Sequence, residues 1–218
     1  MATDVKVGGR LEAVAPRRVT DPADRGRLAA LVALAVVVHG WMVAHTGVTA
    51  RDAIEFARVA LQLEYPPTSG VPAFEVGPNG EQIPRTPNVA DVLRHSKQPP
   101  GYPLAVLAAS VPVRAVWDAP LPDQMLLSAQ LASAVAAVLL VFPTYWLGRS
   151  LFGKPAGTAA AVLVQVLPVF AQVTSDGLTE GLYLLMVGTA LLLGVRAVRT
   201  PGIGGFLLCG MAVGGAYL

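Results

Sequence analysis

The chain has 218 residues, 54% of them hydrophobic and only 14% charged, with a mean hydropathy of +0.56. A soluble domain carries about 25% charged residues, so this balance excludes an ordinary water-soluble globule and points to a bilayer as solvent. The net charge of +2 gives no sign of a nucleic-acid-binding role, and a single cysteine, Cys209, excludes an internal disulfide.

Residues 1–27 form a mostly polar tail carrying Arg10, Arg17, Arg18, Arg25 and Arg27. It is too long and too polar to head a cleaved signal peptide. Because Lys and Arg gather on the cytoplasmic flanks of spans, the tail is expected to be cytoplasmic. Residues 28–47 then run twenty positions without Asp, Glu, Lys or Arg, enough for a first crossing at roughly 20 apolar residues per span. His39 and His45 fall inside it and are read as packing groups, each with a backbone hydrogen bond.

A long polar loop, about 48–122, follows. Residues 49–61 have a helical period, with Ala53, Ile54, Ala57, Ala60 and Leu61 on one face and Arg51, Asp52, Glu55 and Arg58 on the other. This reads as an amphipathic helix at the membrane interface, with Thr49 and Asp52 forming a capping box. Residues 66–87, with Gly77-Pro78-Asn79-Gly80, have turn and loop chemistry. The stretch 99–117 is apolar but contains Pro103, Pro112 and Arg114. It is read as a broken segment on the outer leaflet; a full span is the alternative.

Four further apolar runs complete the chain, at 125–147, 156–175, 181–195 and 202–218. The third of these nears span length only by taking in Leu178, Thr179 and Glu180. Asp176 stands where it would cap that helix. Arg149 and Lys154, then Arg196 and Arg199, mark two further cytoplasmic turns. The last run holds a Gly210–Gly214 step suited to close helix packing. It stops in mid-span, so the chain is expected to be the N-terminal part of a longer protein and inactive alone.

The fold expected is all-α: a polytopic transmembrane helical bundle crossing about five times, with extracytoplasmic juxtamembrane helices. Topology puts the loop 48–122 and the turn 174–177 on one outer surface. Asp52, Asp176 and Glu180 meet there, with basic residues suited to an anionic ligand such as a lipid phosphate. No HExxH, CxxC or GxSxG occurs.

The constellation resembles the N-terminal part of the GT-C class of membrane glycosyltransferases, nearest the protein O-mannosyltransferase and aminoarabinose transferase family. The resemblance rests on Arg51-Asp52 directly after the first span, on Lys97-Gln98-Pro99-Pro100-Gly101-Tyr102-Pro103, and on Ser175-Asp176-Gly177-Leu178-Thr179-Glu180. The basic turn 148–153 is also similar. The resemblance implies catalytic roles for Asp52 and Asp176, and a donor pocket shaped by Lys97, Pro100 and Tyr102. Glu180, an acid within a span, and Glu55 are further substrate-binding candidates read from the residues. Where that family often has Glu directly after the first-loop Asp, Ala53 stands here, with Glu55 two positions further on.

The implied reaction is inverting transfer of a sugar from a polyprenyl-phosphate donor to an acceptor hydroxyl. It would take place in the inner or plasma membrane, among membrane lipids, with a divalent metal as a possible aid. A transporter or flippase, and a non-catalytic membrane scaffold, are the competing readings. The few polar candidates near mid-membrane, chiefly Gln130 and Gln165, weigh against the first.

Overall fold

The computed structural model describes residues 22–48 and 50–217. The protein is an all-α membrane bundle. Among the described residues, three helices are long and apolar enough to cross a bilayer. They are α1, Pro22–His45, the rod Leu121–Phe152 built from α5 (Leu121–Leu139) and α6 (Val141–Phe152), and α9, Glu180–Arg199. Val37, Trp41, Leu191 and Val198 point outward, whereas His39, Gln130, Ser133, Gln165, Thr174 and Ser175 are buried. Apolar surface outside and hydrogen-bonded polar groups inside is the arrangement a lipid solvent favours.

α1 and the α5–α6 rod lie antiparallel and are tied at both ends. At one end Asp24, 1% exposed, pairs with Arg149 at 2.6 Å and Lys154 at 3.7 Å, and accepts a 2.7 Å bond from the Tyr145 hydroxyl. At the other, Gln130 Nε2 donates to the Thr46 carbonyl at 2.9 Å. The rod between Gln130 and Arg149 is about 28 Å long at about 1.5 Å per residue, close to the ~30 Å hydrocarbon layer. Residues 121–129 therefore project beyond the end of α1 by about 14 Å.

A shelf is built on that projection. It comprises α2 (Arg51–Glu64), a hairpin of β1 (Phe74–Val76) and β2 (Gln82–Pro84), α3 (Val89–His95) and α4 (Gly101–Val116). Phe56, Ala57 and Ala60 of α2, Tyr102 and Val106 of α4, and Met125 and Ala129 of α5 form its core. A second core, of Leu31, Ala35, Val141, Tyr145 and Ala161, lies nearer the Asp24 end.

Several expectations change in detail. The stretch 99–117 is not broken: α4 runs unbroken through Pro112, whose ring is exposed. Pro103 falls in the first turn, where its missing N–H would have had no helical partner anyway. On α2 the period holds but the phase shifts. Phe56 and Leu63 are buried with Ala53, Ala57 and Ala60, Val59 packs toward α3, and Ile54 is 57% exposed. The expected cap Thr49 lies outside the described residues; Ala50 occupies the cap position, without a side-chain bond. The loop 66–87 contains the β1–β2 hairpin, closed through Gly77–Gly80 with Gly80 at φ +80°. Arg10, Arg17 and Arg18 of the expected tail also lie outside the described residues.

The run 156–175 is two helices in series, α7 (Lys154–Val166) and α8 (Pro168–Val173). Leu167 is extended, as a residue before proline tends to be. Together they carry the chain from the Asp24 end to the Thr46 end. α10, Ile203–Tyr217, has 15 residues and returns along α9. Gly210 and Gly214 have nothing within 4 Å of a Cβ position. The close approaches to α9 are instead Gly205 on Ala197 and Gly215 on Met186, so the GxxxG step is not the packing seam within this chain.

One ion pair fixes the shelf. Arg114 donates to both Glu64 oxygens, at 2.7 and 2.6 Å, joining α4 to α2. These bonds hold the Glu64 carboxyl below its ordinary value of 4.5. Its contribution is therefore complete above about pH 4.5 and is lost as pH falls through the depressed value. Arg114→Ala is expected to destabilise the shelf by about 1–2 kcal/mol at neutral pH. The difference from the parent protein should shrink towards zero under acid, as read by thermal unfolding of the detergent-solubilised protein across pH.

Candidate functional site

The segments that carry the sequence-predicted acids come into contact at the Thr46 end. The turn between α8 and α9 carries Asp176 and Gly177, and Gly177 takes φ +73°, a conformation only glycine adopts freely. A Cβ there would stand 3.2 Å from the Ala53 Cβ and 3.3 Å from the Ala129 Cβ. The turn is thus wedged between α2 and α5, and Asp52 and Asp176 are the residues that directly precede the two in contact, Ala53 and Gly177. Asp52 is exposed and makes no hydrogen bond or ion pair among the described residues. Asp176 is half-buried beside a cleft of about 270 Å³ lined also by Thr46, Gly47 and Gln172. Asp176 does not cap α9, whose first residue is Glu180 and whose cap position is Thr179.

Below the turn lies a chain of hydrogen bonds. The Ser133 hydroxyl donates to the Leu178 carbonyl at 2.6 Å, which uses its only proton. The Tyr102 hydroxyl therefore shares its single proton between Ser133 Oγ (2.6 Å) and the Ala129 carbonyl (2.9 Å). Tyr102 is 2% exposed, with its ring edge-on to Phe56 at 4.9 Å. Burial pushes its hydroxyl well above the ordinary value of 10, against the Ser133 bond, and the nearby Glu180 charge adds to the rise. Tyr102 thus joins α4, α5 and the chain entering α9. Glu180 sits in the first turn of α9, where the helix dipole favours an acid. Its Oε2 is buried without a hydrogen-bond partner among the described residues. Gly181 lets α9 approach α5 closely, since a Cβ there would meet the Ser133 carbonyl at 2.8 Å.

The remaining candidates are more dispersed. Glu55 pairs with Arg58 on the outer face of α2. Pro100 is half-buried at the cap position of α4. Lys97 is exposed in the link from α3 to α4 and makes no hydrogen bond or ion pair among the described residues. No group of three or more His, Cys, Asp or Glu able to hold a metal converges among those residues. A magnesium ion commonly uses only one or two carboxylates plus substrate phosphates. Asp52 and Asp176 are the two carboxylates at this contact that could serve it.

Sequence reasoning missed the groups that hold the turn from below. His39 in α1 is 1% exposed, and both its ring nitrogens bond to side chains, Ser175 Oγ and Gln165 Oε1, each at 2.8 Å. The expected backbone bond is found only at His45, to the Trp41 carbonyl at 2.9 Å. A histidine within an apolar run was the available signal; its partners, more than a hundred residues away in sequence, were not legible.

Residues 121–218, from α5 through α10, match the family model described as dolichyl-phosphate-mannose-protein mannosyltransferase. This segment is GT-C-like. The match covers a little under half of the chain. It includes Asp176 and Glu180 and supports the membrane-glycosyltransferase resemblance read from the sequence. Asp52, Lys97 and Tyr102 precede the matched segment. No curated protein and no solved structure matches the chain significantly.

Proposed function

We propose that the protein transfers a sugar from a polyprenyl-phosphate donor to an acceptor hydroxyl at the extracytoplasmic membrane face. Asp52 is the general base in this reading and Asp176 the second acid of the site. The observation that carries it is the Gly177–Ala53 contact, which joins the two acid-bearing segments within a chain whose α5–α10 match a dolichyl-phosphate-mannose-dependent family. The orientation is supported by the basic residues at the opposite end. Arg149 and Lys154 meet Asp24 there, and Arg199 donates to the Ser150 carbonyl at 3.0 Å.

The chemistry follows from the placement. A polyprenyl chain does not leave the bilayer, so its phosphate and sugar stay at the interface, where the shelf begins. An exposed carboxylate can take the acceptor proton as the hydroxyl oxygen attacks the anomeric carbon. The bond to the lipid phosphate breaks on the opposite side, which inverts the centre. The departing phosphate gains charge, and Lys97, a loop arginine or a divalent ion can offset it.

Membranes containing the protein, given a polyprenyl-phosphate mannose labelled in the sugar, are expected to release polyprenyl phosphate and label an acceptor. Appearance of intact lipid-linked sugar on the other leaflet would instead identify a flippase. A scaffold would leave the donor untouched.

A further inference from the structure

We propose that His39 is a positioning residue for Asp176, acting through Ser175; the role assigned to Asp176 rests on the function proposed above. Two segments converge on the imidazole that α1 carries: α7 through Gln165 and the turn after α8 through Ser175. Gln165 Nε2 donates to the Ala137 carbonyl at 3.0 Å, which fixes the amide so that its oxygen faces His39. His39 Nε2 is then the donor to that oxygen. The neutral ring's Nδ1 is left as an acceptor for the Ser175 hydroxyl. His39, Gln165 and Ser175 are each 1% exposed or less. In hydrocarbon no water replaces a lost partner, so each group holds the others in place.

The sequence arranges this at a distance. Pro168 ends α7 just past Gln165 and redirects α8, so that Ser175 comes down over the α1 helix at His39. The residue after Ser175 is Asp176, and the one after that is the wedged Gly177. Asp176 therefore stands in the chain between a polar restraint at Ser175 and a steric one at Gly177, which add to the Ser133–Leu178 bond further along the turn. With the polar restraint removed, the turn keeps its contacts with Ala53 and Ala129 and the Ser133–Leu178 bond, but loses its restraint to α1.

The test uses the full chain with Cys209→Ala in lipid nanodiscs, with nitroxides on Ile54→Cys and Gln172→Cys, two exposed positions on α2 and α8. Ser175→Ala, the smallest change to the network, is expected to broaden the distance distribution between the labels. Ser175→Thr, which keeps the hydroxyl donor and adds no thiol, should recover much of the narrow distribution, and His39→Phe should broaden it again. A distribution that Ser175→Ala leaves unchanged overturns the proposal, whatever happens to activity.

A parallel measurement follows transfer from the lipid-linked donor. In Ser175→Ala, kcat should fall about tenfold while KM for the donor stays near that of the parent, and the thermal midpoint drops because a buried group is left without its partner. Broadening without any change in kcat supports the restraint and counts instead against the catalytic role of Asp176, so the two failures are distinguishable.

Discussion

Asp52→Asn is expected to lower the rate of sugar transfer by about 10²–10⁴-fold, the range typical of a lost general base, with the protein still inserted and folded. Asn has the same shape as Asp but cannot take a proton at this position. Asp52 is exposed in the first turn of α2 and supports no ion pair or hydrogen bond among the described residues. The fold loses little beyond a favourable dipole interaction of about 0.3–1 kcal/mol. Ala53 next to it keeps its contact with Gly177. The measurement is transfer per mole of membrane-inserted protein, with unfolding followed in parallel. A rate within a few-fold of the parent would remove Asp52 from the role of base.

Gly157→Ala should be the most damaging single methyl group in the bundle, destabilising by roughly 2–3 kcal/mol as overpacking does. A Cβ at Gly157 would fall 2.6 Å from the Tyr145 carbonyl oxygen and 2.7 Å from the Arg149 amide nitrogen. Both are backbone atoms, so no side-chain rotation relieves the clash and α7 must separate from α6. That movement also disturbs Asp24, which is held by Tyr145 and Arg149. Gly40→Ala is the matched control. It lies in α1 with nothing within 4 Å of its Cβ position, and alanine is favoured over glycine in a helix interior by about 1 kcal/mol. Thermal unfolding in detergent should therefore move down for Gly157→Ala and stay level or rise for Gly40→Ala. Equal midpoints for the two variants would contradict the close α6–α7 packing.

These two residues show what was legible in the sequence and what was not. The spans α1, α5–α6 and α9 were visible because length and hydropathy are local properties. The meeting of residues 48–122 with the turn 174–177 was reachable because basic flanks constrain topology. Gly157 carried no such signal: a glycine in an apolar helix looks the same whether it faces lipid or another backbone. The phase of α2 was misjudged for a related reason. Ile54 and Phe56 are both apolar, and only the position of α4 and Met125 decides which of them is buried. The prolines of α4 point in the opposite direction: Pro103 lies in the first turn, where no bond is lost, and Pro112 gives up one helical hydrogen bond without ending the helix. Glu64 and Arg114 are fifty residues apart, and nothing local to either names the other.

The projection of α5 beyond the end of α1 has a mechanical consequence. Because the rod is continuous from Leu121 to Phe152, it works as a mast. The altitude of α2 and α4 is set by helix pitch and does not depend on the conformation of the loops between them. The turn bearing Asp176 is braced to the same mast through Ser133 and Ala129. A change in bilayer thickness would then tilt or sink both acids together, leaving their separation unaltered while shifting their height relative to the lipid phosphates.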